Sequence, residues 1–318
     1  MSKACFSALL LAVCVLAPVA ASAQYPARAV RIITSSPSGT APDVLARAIG
    51  AHLTQSMKQA FFVEMRAGTV GPGFVAKSAP DGHTLLIATE GPFTSHPYLY
   101  KDLGFDALRD LVPVSSIMSQ PFVLVVNPGL PAKTVREFIE HARRANPPLF
   151  YGSAGIGTSS HLAMEMLKSL TGINLVHVPV KGGGNQLVSL VVRGEVVATI
   201  GGTSVLPQVK AGNLVAIGTT APQQSKNYPD LAAIVETVPG FDLGNWLGLF
   251  APAGTPADVL ARLRTEMNAY LTLADTREKF SAIGADPLMH KPEEFAARIR
   301  SDYVKYGKLI KELGLTPQ

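Results

Sequence analysis

Four glycine-rich turns constrain what this chain can fold into. SSPSGTAPD (35–43), YGSAGIGTSSH (151–161), KGGGN (181–185) and IGGTS (200–204) each follow a short apolar run and precede a segment of helical period. Strand, glycine turn and helix in alternation describe an α/β fold with mostly parallel sheets. In open α/β sheets, ligands bind beyond the carboxyl ends of the strands, where these turns fall. Backbone N–H groups gathered at a helix start favour an anion. The pattern describes a protein that grips something small and acidic without transforming it.

The apolar periodicity places the elements. Val30–Thr34 (VRIIT) reads as a strand, and Leu45, Ile49 and Leu53 recur at helical spacing over residues 43–57. Thr40-Ala41-Pro42-Asp43 fits a capping box with proline in the first turn. Further strands are expected at 61–64, 84–89, 149–152, 175–178, 196–200, 214–218 and 246–250. Helices are expected at 75–79, 134–145, 160–170, 185–192, 205–210, 257–271, 276–283 and 292–313. FVLVV (122–126) is continuously apolar and reads as a buried parallel strand. A chain of 318 residues predicts two domains.

Residues 8–21 are almost entirely apolar, and Ala21-Ser22-Ala23 is a small-x-small cleavage signal. Residues 1–23 therefore read as an export signal peptide, cut after Ala23. The apolar run is shorter than the ~20 residues a spanning helix needs. Val13 is too bulky before Cys14 for a lipid-modified cysteine. Both cysteines, Cys5 and Cys14, lie in this leader. That excludes zinc–thiolate sites and a cysteine nucleophile from the mature chain. The formal net charge is +5, or +4 once Lys3 is gone, enough to help draw in an anionic solute. No lysine–arginine run is interleaved with aromatics, so no nucleic-acid partner is expected.

Catalytic and cofactor motifs are missing. Ser153 and His161 stand eight apart without a glycine-x-serine-x-glycine elbow, which argues against a hydrolase triad. His83, His96, His161 and His177 show no metal spacing. GIGTSS (155–160) lacks the third glycine of a dinucleotide fingerprint, and no acidic ribose partner follows at about twenty residues. No enzyme activity, metal or cofactor is expected.

Seven stretches carry a family resemblance: YPARAVRIIT (25–34), PSGTAPD (37–43), APDGHTLL (79–86), YGSAGIGTSSHL (151–162), HVPVKGGG (177–184), LGLFAPAGTP (247–256) and KPEEFAARI (291–299). In this order and spacing the chain resembles the substrate-binding proteins of tripartite tricarboxylate transporters, the Bug family, from Tyr25 to about Leu313. The resemblance implies a two-lobed periplasmic binding protein fold, type II-like, with helices on both sheet faces and a hinge of two adjacent β-strands, at 122–126 and 246–250. It implies residues 24–122 plus 247–318 as domain 1 and 123–246 as domain 2. The protein would be a monomer in the periplasm of a Gram-negative bacterium, presenting a captured solute to an integral membrane transporter. A sensor that delivers its liganded form to a sensor kinase ectodomain, a periplasmic enzyme on a related fold, and an orphan receptor stay open as alternatives.

Family ligands are small carboxylates held by amides and hydroxyls of two βα turns. Carried over by position, these are Ser38, Gly39, Thr40 and Ala41 with Asp43, and Ser153, Ala154, Gly155, Gly157 and Thr158 with His161. Lys181 and Gly182 match a further turn facing the cleft, and Thr203 lies in the IGGTS turn. Ser38, Thr40 and Asp43 also read as caps of the first helix. His161 reads equally as a helix-face histidine satisfied locally, and Trp246 as hinge or core packing rather than a stacking platform. The chain departs from the family at Thr40, in place of a second glycine; at a shortened, altered loop from Met65; at Ile200-Gly201, in place of Asp-Asn; and at Glu90, in place of a small residue. Glu90 is expected either to pair with an amino group on the ligand or to point to solvent or to Arg66.

Overall fold

The computed structural model describes residues 25–36, 38–180, 184–225 and 227–317, without the Thr203 side chain. In chain order its strands are β1 (Val30–Thr34), β2 (Phe61–Met65), β3 (Thr84–Thr89), β4 (Leu111–Gln120), β5 (Val123–Val126), β6 (Leu149–Ser153), β7 (Leu175–Pro179), β8 (Ala198–Gly201), β9 (Val215–Thr219), β10 (Asn245–Pro252) and β11 (Asp286–Pro287). The helices are α1 (Ala41–Met57), α2 (Val70–Ala76), α3 (His96–Leu99), α4 (Ala107–Asp110), α5 (Val135–Arg144), α6 (Ser159–Thr171), α7 (Gly184–Val192), α8 (Leu206–Lys210), α9 (Ile234–Thr237), α10 (Ala257–Thr272), α11 (Ala274–Ala282) and α12 (Pro292–Glu312).

Two sheets build two lobes. The first has six strands in the order β11-β4-β10-β3-β1-β2, the second five in the order β7-β6-β8-β5-β9. Apolar clusters form on both faces of each. Leu45, Ile49 and Leu53 of α1 pack with Val30 and Ile32 on one face of the first sheet, and Phe93, Trp246 and Phe295 gather on the other. Tyr151, Leu162 and Phe138 fill one face of the second sheet, and Val123, Val188 and Val205 the other.

The sheets are mixed rather than mostly parallel. β1 is parallel to β2 and β3, and β6 to β7 and β8. The remaining pairings are antiparallel. VLVV (123–126) is fully buried as expected, but β5 runs antiparallel to both neighbours. A continuous apolar run reports burial of both faces and carries no strand direction. The ten-residue β4 escapes sequence reading because LVPVSSIMSQ breaks its apolar pattern with Pro113 and three serines.

The expected hinge strands lie in different sheets, β5 in the second and β10 in the first, so they are not hydrogen-bonded neighbours. The chain changes sheet between β4 and β5, at Pro121-Phe122, and returns just before β10, at Gly244. A third link is α12. Its Phe295 and Ile299 belong to a core of the first lobe, while Tyr306, Leu309 and Ile310 belong to that of the second. The contact of α12 with β10 depends on Gly248, where a Cβ would stand 2.7 Å from the Phe295 ring and 2.8 Å from that of Phe250. Overpacking so enclosed a site costs about 1–3 kcal/mol. Gly248→Ala is therefore expected to lower the unfolding free energy by about that much, read from urea denaturation.

Candidate functional site

The carboxyl ends of β1, β2 and β3 share one edge of the first sheet, and those of β6, β7 and β8 one edge of the second. These edges meet across a cleft. Ser159 Oγ, at the start of α6, donates to Glu90 Oε1, just past β3, at 2.7 Å. Leu99 presses on the β6–α6 turn, where its Cδ1 would lie 2.2 Å from a Cβ at Gly157. Gly157 also has φ +76°, so both space and backbone demand glycine there. A cavity of about 480 Å³ opens beside these contacts, between Thr89–Tyr100 of one lobe, Ile156–Ser159 of the other, and the C-terminal Gly314-Leu315-Thr316.

The β6–α6 turn is braced from within. Thr158 takes the N-cap position with extended backbone, and its hydroxyl donates to Gly155 O at 2.7 Å. Ser160 Oγ accepts from the Ala154 N–H, and His161 Nδ1 from the Gly157 N–H at 3.1 Å. Ser153 Oγ lies 2.6 Å from His177 Nε2 and 3.0 Å from Gly155 O. The His177 ring stacks on His161, with centroids 4.1 Å apart. Burial pushes the His177 pKa down to about 4, with the His161 ring adding to the fall, and burial lowers His161 as well. Both imidazoles are thus uncharged near neutral pH. Ser153 is fully buried, and its bonds to His177 and Gly155 hold the turn.

The β1–α1 turn is built differently. Thr40 holds the N-cap position, but its side chain makes no capping bond to the helix. The Asp43 carboxylate instead accepts from the Gly39 N–H at 3.0 Å and from Arg47. Burial works to raise the Asp43 pKa, but Arg47 and the Gly39 amide outweigh it and hold the carboxyl below its ordinary range. The expected capping box is therefore displaced by one residue: Asp43 reaches Gly39 rather than Thr40.

Glu90 is the one carboxyl among the described residues of the cavity wall. It is 4 % exposed, and its Oε2 is shut off from solvent without a hydrogen-bond partner. Burial pushes its pKa up to about 7; the Ser159 hydroxyl opposes the rise and nearby Asp302 adds to it. Arg66 does not reach it: that guanidinium bonds Glu64 and lies over the Phe74 ring. Neither half of the alternative to a ligand contact, solvent or Arg66, matches the structure, because the folded lobes close over this side chain.

The family model for the tripartite tricarboxylate transporter family receptor, TctC, matches residues 45–315. The chain belongs to this family. The TctC chain is 31 % identical to the protein BugT of Bordetella pertussis over 304 residues, 94 % of this chain and 93 % of the relative. It is similar to the solved structure of R. palustris Rpa4515 with adipate, at a TM-score of 0.79 and 30 % identity, covering 92 % of this chain and 100 % of that one. It is also similar to MatC (Rpa3494) from Rhodopseudomonas palustris with bound malate, at a TM-score of 0.74 and 27 % identity, covering 90 % of this chain and 100 % of that one.

Of the expected site residues in this TctC receptor, Ser38 and Gly39 are exposed on the first turn, and Thr40, Ala41, Ala154, Gly155 and Thr158 are partly exposed on the two turns. Asp43, Ser153 and His161 are buried, with their polar atoms engaged inside their own lobes. Lys181, Gly182 and the Thr203 side chain lie outside the described residues. Trp246 is a core residue, 2 % exposed, with Nε1 donating to Asp302 Oδ2 at 3.0 Å. Sequence reasoning passed over His96 and Leu99, which line the cavity from α3. Nothing in HPYL marks them, since their place depends on how the lobes meet.

An unfolded glutamate titrates near 4.3. A folded pKa of about 7 lies above that, so the folded state holds the proton more tightly. Stability from this group is fully present below the ordinary carboxylate value and is lost as pH rises through about 7. Relative to Glu90→Gln, the wild type should lose on the order of 2–3 kcal/mol between about pH 5 and about pH 8, measured by urea denaturation across that range.

Proposed function

We propose that this chain captures a small carboxylate-bearing ligand between its lobes and presents the closed form to the membrane subunits of a tripartite tricarboxylate-type transporter. The observation that carries the reading is the meeting of the β6–α6 turn with Glu90, just past β3, and with Leu99 of α3 across one cleft, on the sheet edge that also carries the β1–α1 turn. The first-turn N–H groups of a helix lack intrahelical acceptors and carry partial positive charge. In the β6–α6 turn the Ala154, Gly155 and Gly157 N–H groups are bonded to Ser160, Ser153 and His161, so the first-turn amides of α6 are the ones that meet an anion. The adipate and malate held by the similar receptors support a carboxylate ligand.

The ligand residues in this reading are Ser38, Gly39, Thr40 and Ala41 from one lobe and Ala154, Gly155, Gly157 and Thr158 from the other, with Lys181, Gly182 and Thr203 on the neighbouring turns. Residues 24–122 with 247–318 form one moving body and 123–246 the other, with α12 bridging them. The receptor acts as a monomer and performs no chemistry on its ligand. It works in the periplasm after loss of a leader ending near Ala23. Among the described residues no helix is long and apolar enough to cross a membrane.

Thermal unfolding against a panel of mono- and dicarboxylates tests the reading. A ligand at about 1,000 times its dissociation constant should add ~4 kcal/mol of stability, a shift of several degrees. Thr158→Ala, which removes the hydroxyl holding Gly155 O, should weaken a panel hit by about tenfold in isothermal titration calorimetry, the worth of one hydrogen bond. No response from any carboxylate would overturn the reading.

A further inference from the structure

The cavity wall is unbalanced in charge and in hydrogen bonding. Among the described residues it carries one carboxyl, Glu90, one imidazole, His96, and no lysine or arginine. Glu90 Oε1 is taken by Ser159, while Glu90 Oε2 and His96 Nδ1 are both sealed from solvent and unpartnered. Around Glu90 stand Ser159 from α6, Trp246 from β10, and Asp302 and Tyr306 from α12. Among the described residues, Arg298 and Lys305 of α12 are committed elsewhere: both bond Asp302 and Asp242. Burial pushes the His96 pKa down to about 4, so its ring is neutral near pH 7 and one nitrogen is an acceptor.

The register of the first sheet sets the reach from this wall to the anion-binding turn. β1 and β3 are parallel neighbours with Thr34 opposite Ile87, so the β1–α1 turn and Glu90 follow neighbouring strand ends. Neighbouring strands lie about 4.8 Å apart. A ligand carboxylate against the β1–α1 turn is therefore a few carbon–carbon bonds from Glu90.

We propose that Glu90 and His96 form a subsite for a hydrogen-bond-donating, cationic end of the ligand, so that this receptor selects a short amino acid, its amine remote from its carboxylate, over the dicarboxylate of equal carbon number. This rests on the carboxylate reading above and names the class of its ligand. An ammonium offers three donors and a charge opposite to that of ionised Glu90. A second carboxylate would instead be buried beside a like charge. Both unpartnered atoms are enclosed in the closed form, so the ligand reaches them when the lobes part and Ser159 leaves Glu90. The raised Glu90 pKa gives the pairing a pH signature: affinity for the amine rises as pH passes through about 7, and affinity for a diacid falls.

The test is isothermal titration calorimetry of the wild type, Glu90→Gln and Glu90→Ser with 6-aminohexanoate against adipate and 4-aminobutanoate against succinate, with melting curves to check folding. The wild type is expected to prefer the amine of at least one pair by about tenfold or more, and both variants to lose that preference. Wild-type preference for the diacids overturns the subsite and leaves the carboxylate reading standing. Amine preference that survives in both variants also overturns it. Silence toward all four compounds overturns the subsite, and only silence across the wider carboxylate panel overturns the parent reading as well. If the variants do not fold, the wild-type pH series decides: amine affinity that stays flat or falls from about pH 6 to about pH 8 overturns the proposal.

Discussion

The arrangement of the two lobes depends on one buried carboxylate at the middle of a shared helix. Asp302 is 1 % exposed, and the indole N–H of Trp246, the guanidinium of Arg298 and the ammonium of Lys305 converge on it. The same two cations reach Asp242, on the segment returning to β10. N-terminal to Asp302, α12 packs into the first lobe; C-terminal to it, into the second. Removing one partner of a buried ion pair leaves an uncompensated charge. The network therefore fixes α12 to the returning strand at the point where the helix passes from one core to the other. Whatever motion separates the lobes has to bend around this anchor and the crossing at Pro121-Phe122.

From that anchor follows the division of labour in the cleft. The β6–α6 turn uses Ser153, Thr158, Ser160 and His161 to hold its own backbone, on two stacked neutral imidazoles. The N–H groups at the start of α6 carry partial positive charge, which needs no counter-charge in the free protein and cannot be lost with a proton. Glu90 stands against this field, its carboxyl bonded at the start of α6. The contact closes the cleft on one side, and it is made by a group whose burial favours the neutral form.

The fold was legible where the signal is local. VRIIT became β1 at the expected residues, α6 closes at Gly172 with φ +68° as its glycine predicts, and Thr134 caps α5 by accepting from the Glu137 N–H. These depend on period, caps and backbone freedom within a few residues. The direction of β5 and the existence of β4 were not legible, since both are decided by neighbours far along the chain.

For the site the same line divides what could be read. The glycine turns mark helix starts that favour an anion, because a turn into a helix start carries its chemistry in its own backbone. Which hydroxyls face the cleft was not written there. Ser153 and Ser159, six residues apart in one motif, have opposite fates, one turned inward to His177 and the other outward to Glu90. Nor does the sequence place Glu90 in a buried seam with Leu99 and His96 beside it. By itself the sequence determined two strand–turn–helix units, a family and a class of ligand. Only the tertiary structure decided which side chains brace the grip and which line the cavity, because a hydrogen bond across the cleft depends on where two lobes meet, and no local pattern encodes that distance.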